Sequence, residues 1–226
     1  MTNLTSVNFH GIGDPGRSLE PGEAPYWLSR EQFEYVLDQV AAMPDPAAVA
    51  ITFDDGNLSD HDIALPALID RGLHARFFVL TGRLGQTGSL HKKHLHNLQG
   101  AGMLIGSHGI DHVSWPTLND AVLRQELETS RAQLEDICGR SITEAGIPFG
   151  RYDARVLRAL RASGYTTAWS SDGGQWRQGT FLRPRTSLRG DMSPDEMQAV
   201  LSGHMPALRR LRRAVGMTRR RWTVTG

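Results

Sequence analysis

Cysteine is all but absent. Cys138 stands alone among 226 residues, which excludes a disulfide framework and any cysteine-based zinc site. Its neighbours fall at helical spacing, so it reads as a buried apolar filler. Long hydrophobic runs are missing too: nothing approaches the ~18–20 apolar residues of a membrane-spanning helix. Met1–Asn8 has neither a basic start nor a long apolar stretch, so no secretion signal is recognised and a cytoplasmic protein is expected. Net charge is nearly lacking as well. At +1 it gives no bias toward nucleic acid, and no nucleic-acid partner is expected. The charge is nonetheless uneven: no Asp or Glu follows Glu196, while seven Arg lie between Arg209 and Arg221. Taking those seven from the net +1 leaves Met1–His204 at −6. One domain over residues 1–204 is therefore expected, followed by a basic helix or tail over 205–226 that suits an anionic membrane or a protein partner.

What is present alternates. Leu4–Phe9 reads as a strand, followed by a Gly- and Pro-rich loop, Gly11–Pro25. Ser29 with Gln32 forms a capping box ahead of Phe33, Val36, Leu37 and Val40 at helical spacing. Strands follow at Ala47–Phe53, His74–Leu80, Met103–Ile105, Thr143–Ile147 and Tyr165–Trp169, with a last one at Phe181–Leu188. Between them lie helices over about Ser59–Asp70 (with Pro66 inside it), Leu90–Gln99, Leu118–Ile137 and Asp153–Ala162, and a capping box at Ser193–Glu196 opens another. Short apolar strands alternating with helices imply a parallel sheet, and about seven strands suggest a (β/α)₇ barrel or near-barrel. Chemistry in such folds gathers at the C-terminal strand ends. His10, Asp54, Asp55, His108, Pro148, Phe149 and Asp172 all fall there.

Two stretches carry the chemistry. Thr52-Phe53-Asp54-Asp55-Gly56 ends an apolar strand with two carboxylates, which seldom end core strands unless paired, metal-bound or catalytic. Successive residues on a strand point oppositely, so Asp54 and Asp55 have different jobs; an ordinary N-cap and turn is the competing interpretation. His108-Gly109-Ile110-Asp111-His112 places two imidazoles at i and i+4, on one face if the segment makes a helical turn. Two His and one carboxylate with open positions is a catalytic metal arrangement, suited to Zn²⁺, with Co²⁺, Ni²⁺ or Fe²⁺ as alternatives.

TFDDG, SHGIDH about fifty residues later, and IPFGRYDARVLRALRASGY together resemble the polysaccharide deacetylase family, the nodulation-type chitooligosaccharide deacetylases of carbohydrate esterase family 4. The likeness runs roughly from Val7 to Leu188 and includes ALPALIDRGLHARFFVLTGRLG. It implies a distorted (β/α)₇ barrel and a metal-dependent hydrolase that removes acetyl groups from N- or O-acetylated sugars. It further implies Asp55, His108 and His112 as metal ligands and Asp54 as base. Phe149 would serve as backbone oxyanion donor, and Pro148 would sit at the substrate. Ser171–Trp176 resembles the family's fourth motif, with Asp172 an orienting carboxylate and Trp176 a sugar-stacking face.

The chain also departs from that pattern. The family's third motif has an Arg where this chain has Gly146, and commonly a Tyr where it has Phe149. Arg151, Arg183 or Arg185 is expected to supply the guanidinium, Arg185 also being a candidate for substrate contact. A Leu-x-His general acid is not evident: His204 has the wrong spacing, and His10 is the better candidate. A hydrolase of small linear or cyclic amides, or a non-catalytic carbohydrate-binding or scaffold protein, are the alternatives.

Overall fold

Six parallel staves and a closing seam define the architecture of the computed structural model, which describes residues 3–205 and 207–224. The strands are β1 (Asn3–Phe9), β2 (Gly11–Ile12), β3 (Trp27–Leu28), β4 (Val49–Phe53), β5 (Ala75–Val79), β6 (Leu104–Ser107), β7 (Glu144–Gly146), β8 (Thr167–Ser170), β9 (Gln175–Arg177), β10 (Leu182–Pro184) and β11 (Thr186–Ser187). The helices are α1 (Arg30–Ala41), α2 (Leu65–Asp70), α3 (Lys92–Gly100), α4 (Asp120–Cys138), α5 (Ala154–Ala162), α6 (Pro194–Leu201) and α7 (Ala207–Trp222). The main sheet runs β10-β8-β7-β6-β5-β4-β1-β11, every neighbouring pair parallel.

Closure comes from one segment. Leu182–Pro184 pairs with β8 and Thr186–Ser187 with β1, so a single stretch of chain bridges the two ends of the sheet. Only Arg185 separates its two halves. The expected single strand Phe181–Leu188 is thus divided where it changes partner, which gives the distorted (β/α)₇ barrel.

Local chemistry sets the helix ends. Ser29 and Ser193 make capping boxes with Gln32 and Glu196, and Asn119 and Asp153 each accept one backbone N–H of the helix they precede. Pro66 sits in the first turn of α2, which continues directly from a π-helical turn over Asp60–Ala64, so the helix is irregular where the proline lacks its N–H. Strand alternation then sorts the side chains. Phe9, Phe53 and Phe77 stack outward across three strands, with Phe33 of α1 against the first two. Their neighbours Asn8, Thr52 and Asp54 belong to the opposite face, in the barrel interior.

β9 was not anticipated. It runs antiparallel to β1, and Trp176 packs T-shaped on Trp169 at 5.5 Å while donating Nε1–H to Ser6 Oγ at 2.6 Å. With Phe78 these indoles form a second buried cluster. Among the described residues no helix is long and apolar enough to cross a membrane.

Candidate active site

The cleft at the C-terminal strand ends has a volume of about 490 Å³. Its lining includes His10, Glu20, Asp54, Asp55, His108, His112, Phe149, Asp172 and, unanticipated, Tyr26.

Asp55 follows Asp54 in a left-handed conformation (φ 75°), as does Gly56 (φ 72°). A non-glycine residue held there costs on the order of 1 kcal/mol, a strain typical of functional turns. The turn buries Asp55 almost completely and leaves its Oδ1 without a hydrogen-bond partner. That oxygen lies 3.5 Å from His108 Nε2 and 3.7 Å from His112 Nε2. One ligand atom from each of the three residues falls within 4.8 Å of the others.

Both imidazoles are set to present lone pairs. His108 Nδ1 lies 2.9 Å from the Gly146 carbonyl, which can only accept, so the proton sits on Nδ1 and Nε2 faces Asp55. His112 Nδ1 lies 2.9 Å from Glu20 Oε2, which imposes the same tautomer. Burial pushes the His108 pKa down despite the opposing pull of Asp54 and Asp55, so the ring stays neutral at pH 7. An orphaned carboxylate oxygen converging with two oriented imidazoles fits a divalent cation.

His108–His112 does not make a helical turn. The segment is a loop pinned from two sides. Glu126 of α4 accepts the N–H of Ile110 at 2.8 Å, while Thr81 and Gly82 donate to the carbonyls of Gly109 and Ile110. Gly109 has φ 91°, and a Cβ there would meet Glu126 Oε2 at 2.6 Å. A loop can therefore deliver both rings without i, i+4 geometry.

Asp54 is gripped rather than free. Arg185 Nη1 donates to Oδ1 at 2.6 Å and Nη2 to Oδ2 at 2.8 Å, with Asn8 Nδ2 on Oδ2 at 3.0 Å. Burial raises the carboxyl's pKa, but the Arg185 charge, the neighbouring His108 and the Arg185 hydrogen bonds together outweigh it, and Asp54 is held well below the usual carboxylate range. Arg185 is fully buried, which corrects the expectation that it contacts substrate. It takes the bracing position instead. Arg183 lies over the Trp176 ring, and Arg151 over the Phe149 ring. At Gly146 an added Cβ would lie 2.9 Å from the Phe78 ring and 3.1 Å from His108 Nδ1, so no larger residue fits there.

The other expected residues separate. Pro148 is buried and opens a tight turn in which Phe149 adopts φ 56°. Gly150 and Arg151 bond back to Ile147 and Pro148, and neither bond uses the Phe149 N–H. The Phe149 ring stacks on His112 at 4.2 Å. His10 lies 4.9 Å from the Tyr26 ring, and its Nδ1 is buried without a partner. Asp172 accepts from Tyr152 Oη at 2.9 Å and Ser170 Oγ at 2.6 Å and pairs with Arg220, so it organises the cleft wall. Burial, aided by Asp172, pushes the Tyr152 phenol up to about 12. Trp176 is the clear misplacement: it is buried in the Phe78–Trp169 cluster and does not line the cleft, so it stacks on no sugar there. His204 is exposed after α6 and likewise stands apart.

Glu20, Asn8 and Tyr26 lie outside the residues to which the sequence points. Glu20 and Tyr26 come from irregular or barely regular chain after β1, where no periodicity marks a residue. An Asn near the end of a core strand was the one available signal for Asn8.

A family model described as polysaccharide deacetylase matches residues 42–168. YxkH of Bacillus subtilis strain 168, provisionally named a polysaccharide deacetylase, is 26% identical over 204 residues, covering 84% of this chain and 73% of its own. Among solved structures, the Streptococcus pyogenes deacetylase PplD in complex with acetate matches with a TM-score of 0.74 at 19% identity, over 91% of this chain and 99% of its own. IcaB from Ammonifex degensii matches with a TM-score of 0.71 at 21% identity, over 89% and 97%. At these identities the two structures speak to the fold.

Proposed function

The chain belongs to the polysaccharide deacetylase family, and we propose that it hydrolyses acetyl groups from N-acetylated or O-acetylated sugars of a polysaccharide or glycoconjugate with the help of a divalent cation. The observation that carries this reading is the convergence of Asp55, His108 and His112 on one point, with Asp54 beside them in the same cleft. Asp55 Oδ1 and the two Nε2 atoms would hold the cation, Zn²⁺ first among those suited to this donor set. When bound, such an ion supplies Lewis acidity to a carbonyl oxygen and lowers the pKa of water toward neutrality.

The remaining work falls to the chain. Asp54 takes the proton of the attacking water. Arg185 and Asn8 fix the plane of its carboxylate and keep it ionised. A carboxylate held so low is a weak base, which restricts it to a water already made acidic. The Phe149 N–H, free of the turn's own hydrogen bonds, donates to the oxygen that gains charge as the carbonyl carbon becomes tetrahedral. His10, which lines the cleft, gives a proton to the departing amine. The products are acetate and a free amine, or a hydroxyl from an ester. Tyr26 and Phe149 offer the aromatic faces that Trp176 does not.

The test is acetate release from chitooligosaccharides by protein loaded with Zn²⁺, and its suppression by a chelator. Ammonia or formate released from small amides instead would move the substrate class. Failure to bind any divalent ion, with no turnover, would leave a carbohydrate-binding protein.

A further inference from the structure

The last helix, α7, presents two unlike faces. Its inner side is fastened to the barrel. Met217 is buried, Arg213 donates to the Gln175 carbonyl at 3.4 Å, and Arg220 pairs with Asp172 and lies over the Tyr152 ring. The Thr223 carbonyl accepts the N–H of Ala154 at 3.0 Å, which ties the end of the helix to α5. The helix is therefore held in one orientation, and its other side faces outward.

That outer side is apolar. Leu208, Leu211, Val215 and Trp222 are 72%, 63%, 62% and 82% exposed. At 3.6 residues per turn these four positions fall within an arc of about 60°. Exposed Arg212 and Arg219 border the stripe on one flank, and exposed Arg210 and Arg221 lie further round on the other. No acidic residue occurs on α7 or anywhere after Glu196.

We infer that this face of α7 docks the protein on an anionic lipid surface, with Leu208, Leu211, Val215 and Trp222 entering the headgroup boundary and the flanking arginines meeting lipid phosphates. The pattern is that of a helix lying in a membrane interface: an apolar stripe with basic flanks and an aromatic at its end. Charge selects the occupant. A second copy of the same helix would set arginine against arginine with no carboxylate to separate them, whereas an anionic bilayer offers apolar depth and negative charge together. Because Arg220 of this helix pairs with Asp172 in the cleft lining, docking also fixes how the cleft stands relative to the surface.

The test uses the full chain and two sets of vesicles, phosphatidylcholine alone and phosphatidylcholine with about 30 mol% phosphatidylglycerol, read by co-sedimentation and tryptophan emission. Trp222 is the one exposed tryptophan among the described residues, so its emission should shift to the blue as it leaves water. Partition onto the anionic vesicles should exceed that onto the neutral ones by about tenfold or more and weaken as salt rises. The double variant Leu211→Ser, Trp222→Ser changes only exposed side chains. It should keep the wild-type melting temperature and lose about tenfold in partition. No partition, equal partition on both vesicles, or a variant that binds as well as wild type overturns the inference. So would concentration-dependent dimerisation, or binding of polyglutamate, that the double variant abolishes while vesicles are ignored. None of these readouts depends on deacetylase activity.

Discussion

Arg185 holds both carboxylate oxygens of Asp54, at 2.6 and 2.8 Å, from the single residue at which the barrel-closing segment changes partner. The bracing guanidinium that relatives would carry at Gly146 has no room there, because the Phe78 ring and His108 Nδ1 occupy the space. The barrel supplies it instead from the seam beside β1, where Asn8 completes the grip.

Arg185→Met removes the partner of a buried charge and should destabilise the protein by about 3–5 kcal/mol. The Asp54 pKa lies below its unfolded value near 3.9, so the stabilisation is present above that value and is lost as pH falls through the folded pKa. Urea unfolding at a series of pH values should therefore show the wild-type advantage shrinking on acidification below about pH 4. An advantage that grows on acidification would contradict the ion pair.

Glu20 acts on the cation site through His112. Glu20→Gln should weaken divalent-ion affinity by about 10–100-fold while leaving the fold intact, since Glu20 is a largely exposed loop residue. Competition titration with a zinc chelator reads this directly. Unchanged affinity would mean that the His112 tautomer is set without Glu20.

Trp176→Leu separates packing from substrate contact. The indole fills the base of the barrel against Trp169 and Phe78, so the variant should lose about 2–4 kcal/mol of stability by thermal or urea unfolding. KM for a chitooligosaccharide should stay as in wild type. A raised KM at unchanged stability would return Trp176 to the cleft.

Asp60 lies fully buried with both carboxylate oxygens unpartnered, and burial, with Asp55 and Asp54 nearby, raises its pKa well above normal. A carboxyl whose folded pKa exceeds its unfolded one costs stability as pH rises between the two. In cation-free protein, Asp60→Asn should therefore raise the melting temperature at pH 7, with the gain fading toward pH 4. A constant or inverted difference would contradict a protonated Asp60.

The readable parts of the site were local ones. Asp54 and Asp55 are adjacent, and His108 and His112 share one loop, so short stretches display them. The alternation of strand and helix likewise exposed the barrel. What stayed hidden depends on closure in space. Which of Arg151, Arg183 and Arg185 braces Asp54 was hidden, since Arg185 meets it across 131 positions, as Glu20 meets His112 across 92, with no periodicity or motif linking either pair. Trp176 was misread because its antiparallel strand is three residues long and leaves the cleft immediately after Asp172 and Gly173. His108–His112 makes no helical turn because Glu126 and a glycine at positive φ hold that segment as a loop.

Asp54→Asn set beside wild type, with bound zinc and acetate release measured on the same preparations, separates the base from the metal ligands most directly. The variant should keep the ion, because Asp55, His108 and His112 are untouched, and lose at least about a thousandfold in kcat through removal of the base and its charge. Full turnover in Asp54→Asn, or wild-type protein that binds no divalent ion, would contradict these roles.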